Sequence, residues 1–250
     1  MKKHNIRTIQ KYKNEHKKLH MLTCYDYQTA VVMNETNLDM ILIGDSLGNV
    51  VLGYDSTVEV TSEEMIIFGK AVKRGAPDKF IVVDIPFGVV TSFEKGLEGV
   101  CKIFQATQAE AVKIEGAGPI HLQVIERLIE IGIPVMGHIG LMPQSVNAQG
   151  GFYKHGKNEA DQQRIYNEAK ALQDAGCFSV VLECVEEKLS QKISEELDIV
   201  TIGIGSGKNT DGQVLVINDL LGMGQKYPSF ATPLINLYEI KKETINKYIS

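Results

Sequence analysis

Met40-Ile41-Leu42-Ile43-Gly44-Asp45-Ser46-Leu47-Gly48 opens with four apolar residues and then delivers a glycine, a carboxylate and a hydroxyl. A short apolar run bounded by glycine reads as a strand buried on both faces, as in a parallel sheet. Gly44 lets the chain turn sharply as it leaves the sheet, which puts Asp45 and Ser46 just past the strand's carboxyl end. The pattern recurs in Phe80-Ile81-Val82-Val83-Asp84, Ala111-Val112-Lys113-Ile114-Glu115, Pro134-Val135-Met136-Gly137-His138 and Val180-Val181-Leu182-Glu183. Five apolar strands thus each end on an ionisable residue.

Working outward, further strands are expected at residues 19–24, 199–203 and 214–217, with those just quoted spanning 80–84, 111–115, 133–138 and 178–183. Helical spacing fills the gaps. Thr61 and Glu64 have the S/T-x-x-E form of a capping box, followed by Met65, Phe68 and Val72; Thr91 and Glu94 repeat it before Phe93, Leu97, Cys101 and Phe104. Asn158 and Asp161 start another helix, with Ile165, Ala169 and Leu172 inward. Strand and helix alternate about eight times, the pattern of a single-domain (β/α)8 TIM barrel over residues 1–250. An N-terminal helix is expected over 1–18 and a helical tail over 220–250. The seventh unit is weak, because residues 203–214 leave little room for a helix; a doubly wound open sheet is the second choice. Two long loops, 49–60 and 139–157, are placed to cover a site.

Of the 250 residues, 44% are apolar and 23% charged, an ordinary globular mixture, and the net charge of -5 disfavours nucleic acid and anionic membrane as partners. No apolar run approaches the ~20 residues of a membrane span. Cys24, Cys101, Cys177 and Cys184 form no CxxC and read as small buried hydrophobes in a reducing cytoplasm. Residues 1–20 carry seven Lys or Arg and no apolar core of a secretory signal.

In such a barrel, catalytic side chains gather at the carboxyl ends of the strands. Asp45, Asp84 and Glu115 come from neighbouring strands and converge at one rim, where three carboxylates repel unless something positive sits among them. Oxygen donors suit a hard ion, Mg²⁺ before Zn²⁺. Separate helix caps or salt bridges are the plainer alternative. Lys113 shares a strand face with Glu115; it could bind a substrate carboxylate, form a Schiff base, or simply pair with Glu115. His138 could bond substrate, act as an acid, or be structural. Glu183 lies across the rim from the carboxylates, where a proton acceptor belongs if a cation holds the substrate; a salt bridge is its plainer role. The run Gly203-Ile204-Gly205-Ser206-Gly207-Lys208 lacks the glycine and hydroxyl of a P-loop at Ile202 and Asn209, and reads as a tight turn.

Taken together, these stretches resemble the ketopantoate hydroxymethyltransferase family. The resemblance runs from about residue 9 to 222. It rests on Thr23-Cys24-Tyr25-Asp26-Tyr27, Gly44-Asp45-Ser46-Leu47-Gly48, Gly53-Tyr54-Asp55-Ser56-Thr57, Asp84-Ile85-Pro86-Phe87, Lys113-Ile114-Glu115-Gly116, Gly137-His138-Ile139-Gly140-Leu141, residues 143–147 and Leu182-Glu183-Cys184-Val185. Phe68, Glu59 and residues 225–236 depart from the family pattern. The resemblance implies a barrel of the phosphoenolpyruvate/pyruvate superfamily and the first step of pantothenate biosynthesis. In that step 3-methyl-2-oxobutanoate takes a one-carbon unit from 5,10-methylenetetrahydrofolate. It implies Mg²⁺ contacts from Asp45, Asp84 and Glu115, and substrate contacts from Asp45, Ser46, Asp84 and Lys113, with His138 beside them. It implies Glu183 as proton acceptor, and a homo-oligomer, commonly a decamer. A lyase or mutase of the same superfamily, or a barrel that binds without turnover, are the competing readings.

Overall fold

The computed structural model describes residues 3–250. Eight parallel strands close on themselves in sequence order: β1 (Leu19–Thr23), β2 (Met40–Ile43), β3 (Phe80–Asp84), β4 (Ala111–Glu115), β5 (Val135–Gly140), β6 (Ser179–Glu183), β7 (Val200–Ile204) and β8 (Gly212–Leu215). The fold is a (β/α)8 TIM barrel. Alternation along each strand divides its side chains between two cores. Met40, Leu42, Phe80, Val82, Ala111, Met136, Val181, Val200, Ile202 and Val214 fill the interior. Ile41, Ile43, Ile81, Val83, Val112, Ile114 and Val180 meet the surrounding helices. Each fully buried aliphatic side chain contributes about 1.5–3 kcal/mol.

The helical layer follows from local chemistry. α1 (Ile6–Asn14) is capped by Asn5, and its Ile9 packs against the barrel interior near Leu19. The expected helix over 1–18 is therefore shorter, and Met1 and Lys2 lie outside the described residues. α2 (Tyr27–Asn34) is capped by Asp26. α3 (Ser62–Gly75) begins at the Thr61–Glu64 capping box. α4 (Phe93–Thr107) is capped by Ser92, not by Thr91, so that second box is corrected. α5 (Pro119–Glu130) carries proline in its first turn, where no donor is lost. The two long loops fold into short turns. Residues 48–59 hold a single π turn, Gly48–Leu52, and a 3₁₀ turn, Thr57–Glu59. The loop after β5 holds a 3₁₀ turn, Pro143–Ser145, and α6 (Val146–Gln149). Asn158 caps α7 (Glu159–Asp174), and α8 (Glu187–Glu196) follows β6.

No helix separates β7 from β8. Asp211 replaces one as a junction: its Oδ2 accepts from Thr201 N at 2.8 Å and pairs with Lys13 of α1 at 2.7 Å. Strand β8 starts two residues earlier than expected, at Gly212, which lies opposite Leu19. A Cβ there would come within 2.7 Å of Leu19 O, so only glycine permits the approach that closes the barrel. Ile217, expected to end that strand, instead starts α9 (Ile217–Leu220). The helical tail reduces to α10 (Leu237–Ile249). β5 runs on past His138 because its ladder with β6 continues to Gly140 opposite Glu183. Among the described residues no helix is long and apolar enough to cross a membrane.

Candidate active site

The side chains that cap the interior core at the strands' carboxyl ends are polar. Lys113 and Glu115 continue the inward row begun by Ala111, and Asp84 continues that of Phe80 and Val82. Strand register makes Asp84 the neighbour of Lys113, and Glu115 the neighbour of His138. The contacts follow. Lys113 Nζ lies 2.7 Å from Asp84 Oδ1 and 4.0 Å from Glu115 Oε1, so Asp84 is its closer partner, rather than Glu115. His138 Nδ1 stands 3.1 Å from Lys113 Nζ and 3.5 Å from Glu115 Oε1. Its Nε2 stands 3.3 Å from Glu183 Oε2. The imidazole therefore separates Glu183 from the carboxylates on the other side of the rim.

Asp45 and Ser46 enter from β2 across Gly44. A Cβ on Gly44 would lie 2.8 Å from Ser46 Oγ, so glycine leaves room for that hydroxyl to turn back beside the strand end. The Asp45 N–H donates to Asp84 Oδ2 at 3.1 Å. Ser46 Oγ shares a hydrogen bond of 2.8 Å with the buried Tyr25 hydroxyl. Asp45, Ser46, Asp84, Lys113, Glu115, His138 and Glu183 all line one cavity of about 370 Å³. Leu42, Val181, Ile204 and Val214 supply apolar wall, and Asn49, Asp55, Asn147 and Phe152 also line it. The structure thus brings together every residue the sequence singled out. It adds Gln144, whose Nε2 donates to Asp45 Oδ2 at 2.8 Å, and Tyr25. Both lay within recognisable motifs, but no periodicity marked either as part of the site.

The electrostatics are unbalanced. Burial, then Asp84 and Glu115, push the Asp45 carboxyl well above its usual range. Burial also raises Asp84, although Lys113 opposes it. Burial would lower the Lys113 ammonium, but Asp84, Glu115 and Asp45 outweigh it and hold the charge in place. Burial opposes ionisation of Glu115 as well, yet His138 and Lys113 keep it below the usual carboxylate value. Burial and Lys113 push His138 down; Glu115 and Glu183 prevail, taking it to about 9. Asp45, Asp84, Glu115 and Glu183 thus share the rim with two cationic groups, Lys113 and His138, and Asp55 is a fifth carboxyl on the cavity wall. Asp84 Oδ1 is buried and receives no well-directed hydrogen bond, despite its charge contact with Lys113. Among the described residues, no three His, Cys, Asp or Glu side chains close a metal cage by themselves. Mg²⁺ ordinarily takes one or two carboxylates and completes its shell with water and substrate oxygens, and Asp84 Oδ1, buried without a well-directed hydrogen bond, is an oxygen donor of that kind. The donor set fits through Asp45 and Asp84.

A family model described as ketopantoate hydroxymethyltransferase matches residues 3–250. The chain belongs to the ketopantoate hydroxymethyltransferase family. It is 47% identical over 233 residues to a 3-methyl-2-oxobutanoate hydroxymethyltransferase of Leptospira interrogans, covering 92% of this chain and 88% of the relative. It is 46% identical over 246 residues to one of Carboxydothermus hydrogenoformans, covering 98% and 89%. Among solved structures it resembles a phosphoenolpyruvate phosphomutase from Streptomyces platensis, with a TM-score of 0.69 at 12% identity, covering 98% of this chain and 88% of that one. That likeness shows the barrel alone. Membership in the ketopantoate hydroxymethyltransferase family makes the chain an enzyme, a one-carbon transferase.

Proposed function

We propose that this enzyme transfers a one-carbon unit from 5,10-methylenetetrahydrofolate to 3-methyl-2-oxobutanoate, giving 2-dehydropantoate, with Mg²⁺ as cofactor. The observation that carries the reading is the shared cavity: acidic, cationic and proton-accepting side chains face one apolar-walled space. The relatives' names supply the substrate.

Asp45 and Asp84, with Glu115 beside them, would hold Mg²⁺, which when bound supplies a Lewis acid for the keto oxygen. Lys113 and Ser46 bind the substrate carboxylate. Lys113 acts as a charge partner; its ammonium is fixed in the protonated form by its acidic neighbours, which disfavours the Schiff-base role. Leu42, Val181 and Val214 surround the branched alkyl group. Glu183 takes the proton from the carbon next to the carbonyl, and His138 Nε2 lies 3.3 Å from it as a charge contact without a well-directed hydrogen bond. The carbon so freed and the oxygen of a water form new bonds to the donor's methylene, and both C–N bonds of that methylene break. Tetrahydrofolate departs with its two nitrogens protonated, one proton coming from the keto acid by way of Glu183 and one from the water. Holding both reactants in one cavity removes much of the entropy of their encounter.

The deciding experiment is a turnover assay with both substrates and Mg²⁺, repeated with a chelator. 2-Dehydropantoate should form and its formation should stop on chelation. No product with the metal present would remove the reading; product at an undiminished rate after chelation would remove the metal.

A further inference from the structure

Gln144 sits in the 3₁₀ turn Pro143–Ser145 of the loop that follows β5. Its Nε2 carries two hydrogens, and both are used: one reaches Asp45 Oδ2 at 2.8 Å, the other Ile85 O at 3.0 Å. Two acceptors on the same atom fix which end of the carboxamide is nitrogen. The Gln144 backbone N–H donates to Glu115 Oε2 at 3.2 Å. A single residue therefore holds two of the three carboxylates, and the backbone of the residue that follows the third.

The direction of approach matters. Gln144 lines a neighbouring cavity with Ile85, Pro86, Glu115 and Met142, and is absent from the lining of the main one. It reaches Asp45 from behind and leaves the reactive space open. A blocking group would sit in that space.

We infer that Gln144 is a positioning residue for the divalent cation: it fixes Asp45 by one carboxylate oxygen, leaves the other for the ion, and ties the loop over the cavity to the occupied site. The inference rests on the cation of the proposed function. A carboxylate already held in place loses less rotamer freedom when it meets the ion, and removing such an outer hydrogen bond typically costs 10–100-fold in metal affinity.

Mn²⁺, read by its electron paramagnetic resonance signal in the absence of keto acid, tests it directly. Gln144→Met keeps the size of the side chain and loses the donors; it should bind Mn²⁺ about 10–100-fold more weakly than wild type. Gln144→Asn keeps the amide but falls one methylene short, and should also bind weakly. Gln149→Met is the control. Gln149 braces the same loop through Gly140 O at 3.0 Å and Met142 N at 3.1 Å, and donates to no carboxylate, so wild-type Mn²⁺ affinity is expected. Unchanged or tighter binding by both Gln144 variants would overturn the inference, as would equal weakening by Gln149→Met, which would assign the effect to loop order. A wild-type protein that binds no Mn²⁺ would instead remove the cation, and this inference with it.

Discussion

Glu183 and His138 show how a residue's role depends on its neighbours across the ladder. Glu183 is only partly buried, and it meets the imidazole at 3.3 Å. Glu183→Gln keeps the shape and loses the base, so exchange of the C3 proton of 3-methyl-2-oxobutanoate in D₂O should fall by about 10²–10⁴-fold. Wild-type exchange by that variant would exclude Glu183 as acceptor. A second histidine makes a pH prediction. His155 is 1% exposed, neither ring nitrogen has a hydrogen-bond partner, and the ring stacks on Tyr153 at 4.4 Å. Burial lowers its pKa from the ordinary 6.5, against the pull of Asp161. Between the folded pKa and the unfolded value, the unfolded chain therefore binds the extra proton, so stability falls as pH drops below about 6.5 and is unaffected above it. Melting temperatures from about pH 8 to about pH 5 should decline less for His155→Phe than for wild type; parallel curves would show that His155 stays neutral at no cost. Asp45, Asp84, Lys113 and Glu115 were legible because each closes an apolar run or lies two residues from one that does. Gln144 was not, because a 3₁₀ turn in a long loop imposes no repeating pattern on its residues.

At the scale of elements, β5 and β6 place the base. Gly140 has φ +92 and its missing Cβ would lie 2.3 Å from Glu183 O. Gly140→Ala should therefore cost more than about 1 kcal/mol from backbone strain alone, lowering Tm by at least about 2 °C, and should weaken turnover by shifting Glu183. Calorimetry with a kcat measurement checks both; a variant matching wild type in each would show that the ladder yields without consequence. The strands themselves were readable from uninterrupted apolar runs, and the starts of α3 and α7 from their capping residues. Their boundaries slipped where a polar residue mimicked an ending. His138 looked like the end of β5, yet the ladder carries on through Ile139 and Gly140. Thr91 and Glu94 matched a capping pattern, but Ser92 supplies the cap, its Oγ accepting from Lys95 N at 3.4 Å. Spacing alone cannot choose between two hydroxyls one residue apart.

For the molecule as a whole, the C-terminal helix α10 stands out as a long element that buries none of its side chains. Leu234, Ile245, Tyr248 and Ile249 of its region are 75%, 61%, 90% and 73% exposed, more apolar surface than a solitary chain usually shows on one segment. We propose that α10 joins copies of this chain in a homo-oligomer. Light scattering should report a mass above that of one chain, and Ile245→Ser with Ile249→Ser should reduce it; a wild-type monomer would reject the assembly. Closure of the barrel carries a different consequence. β1 finds its second neighbour only in β8, roughly 190 residues later. On a ribosome adding about 5–20 residues each second, the first strand waits some 10–40 s with one edge bare. Such an edge is the place where chaperones, or a stray strand from another nascent copy, would gain their hold.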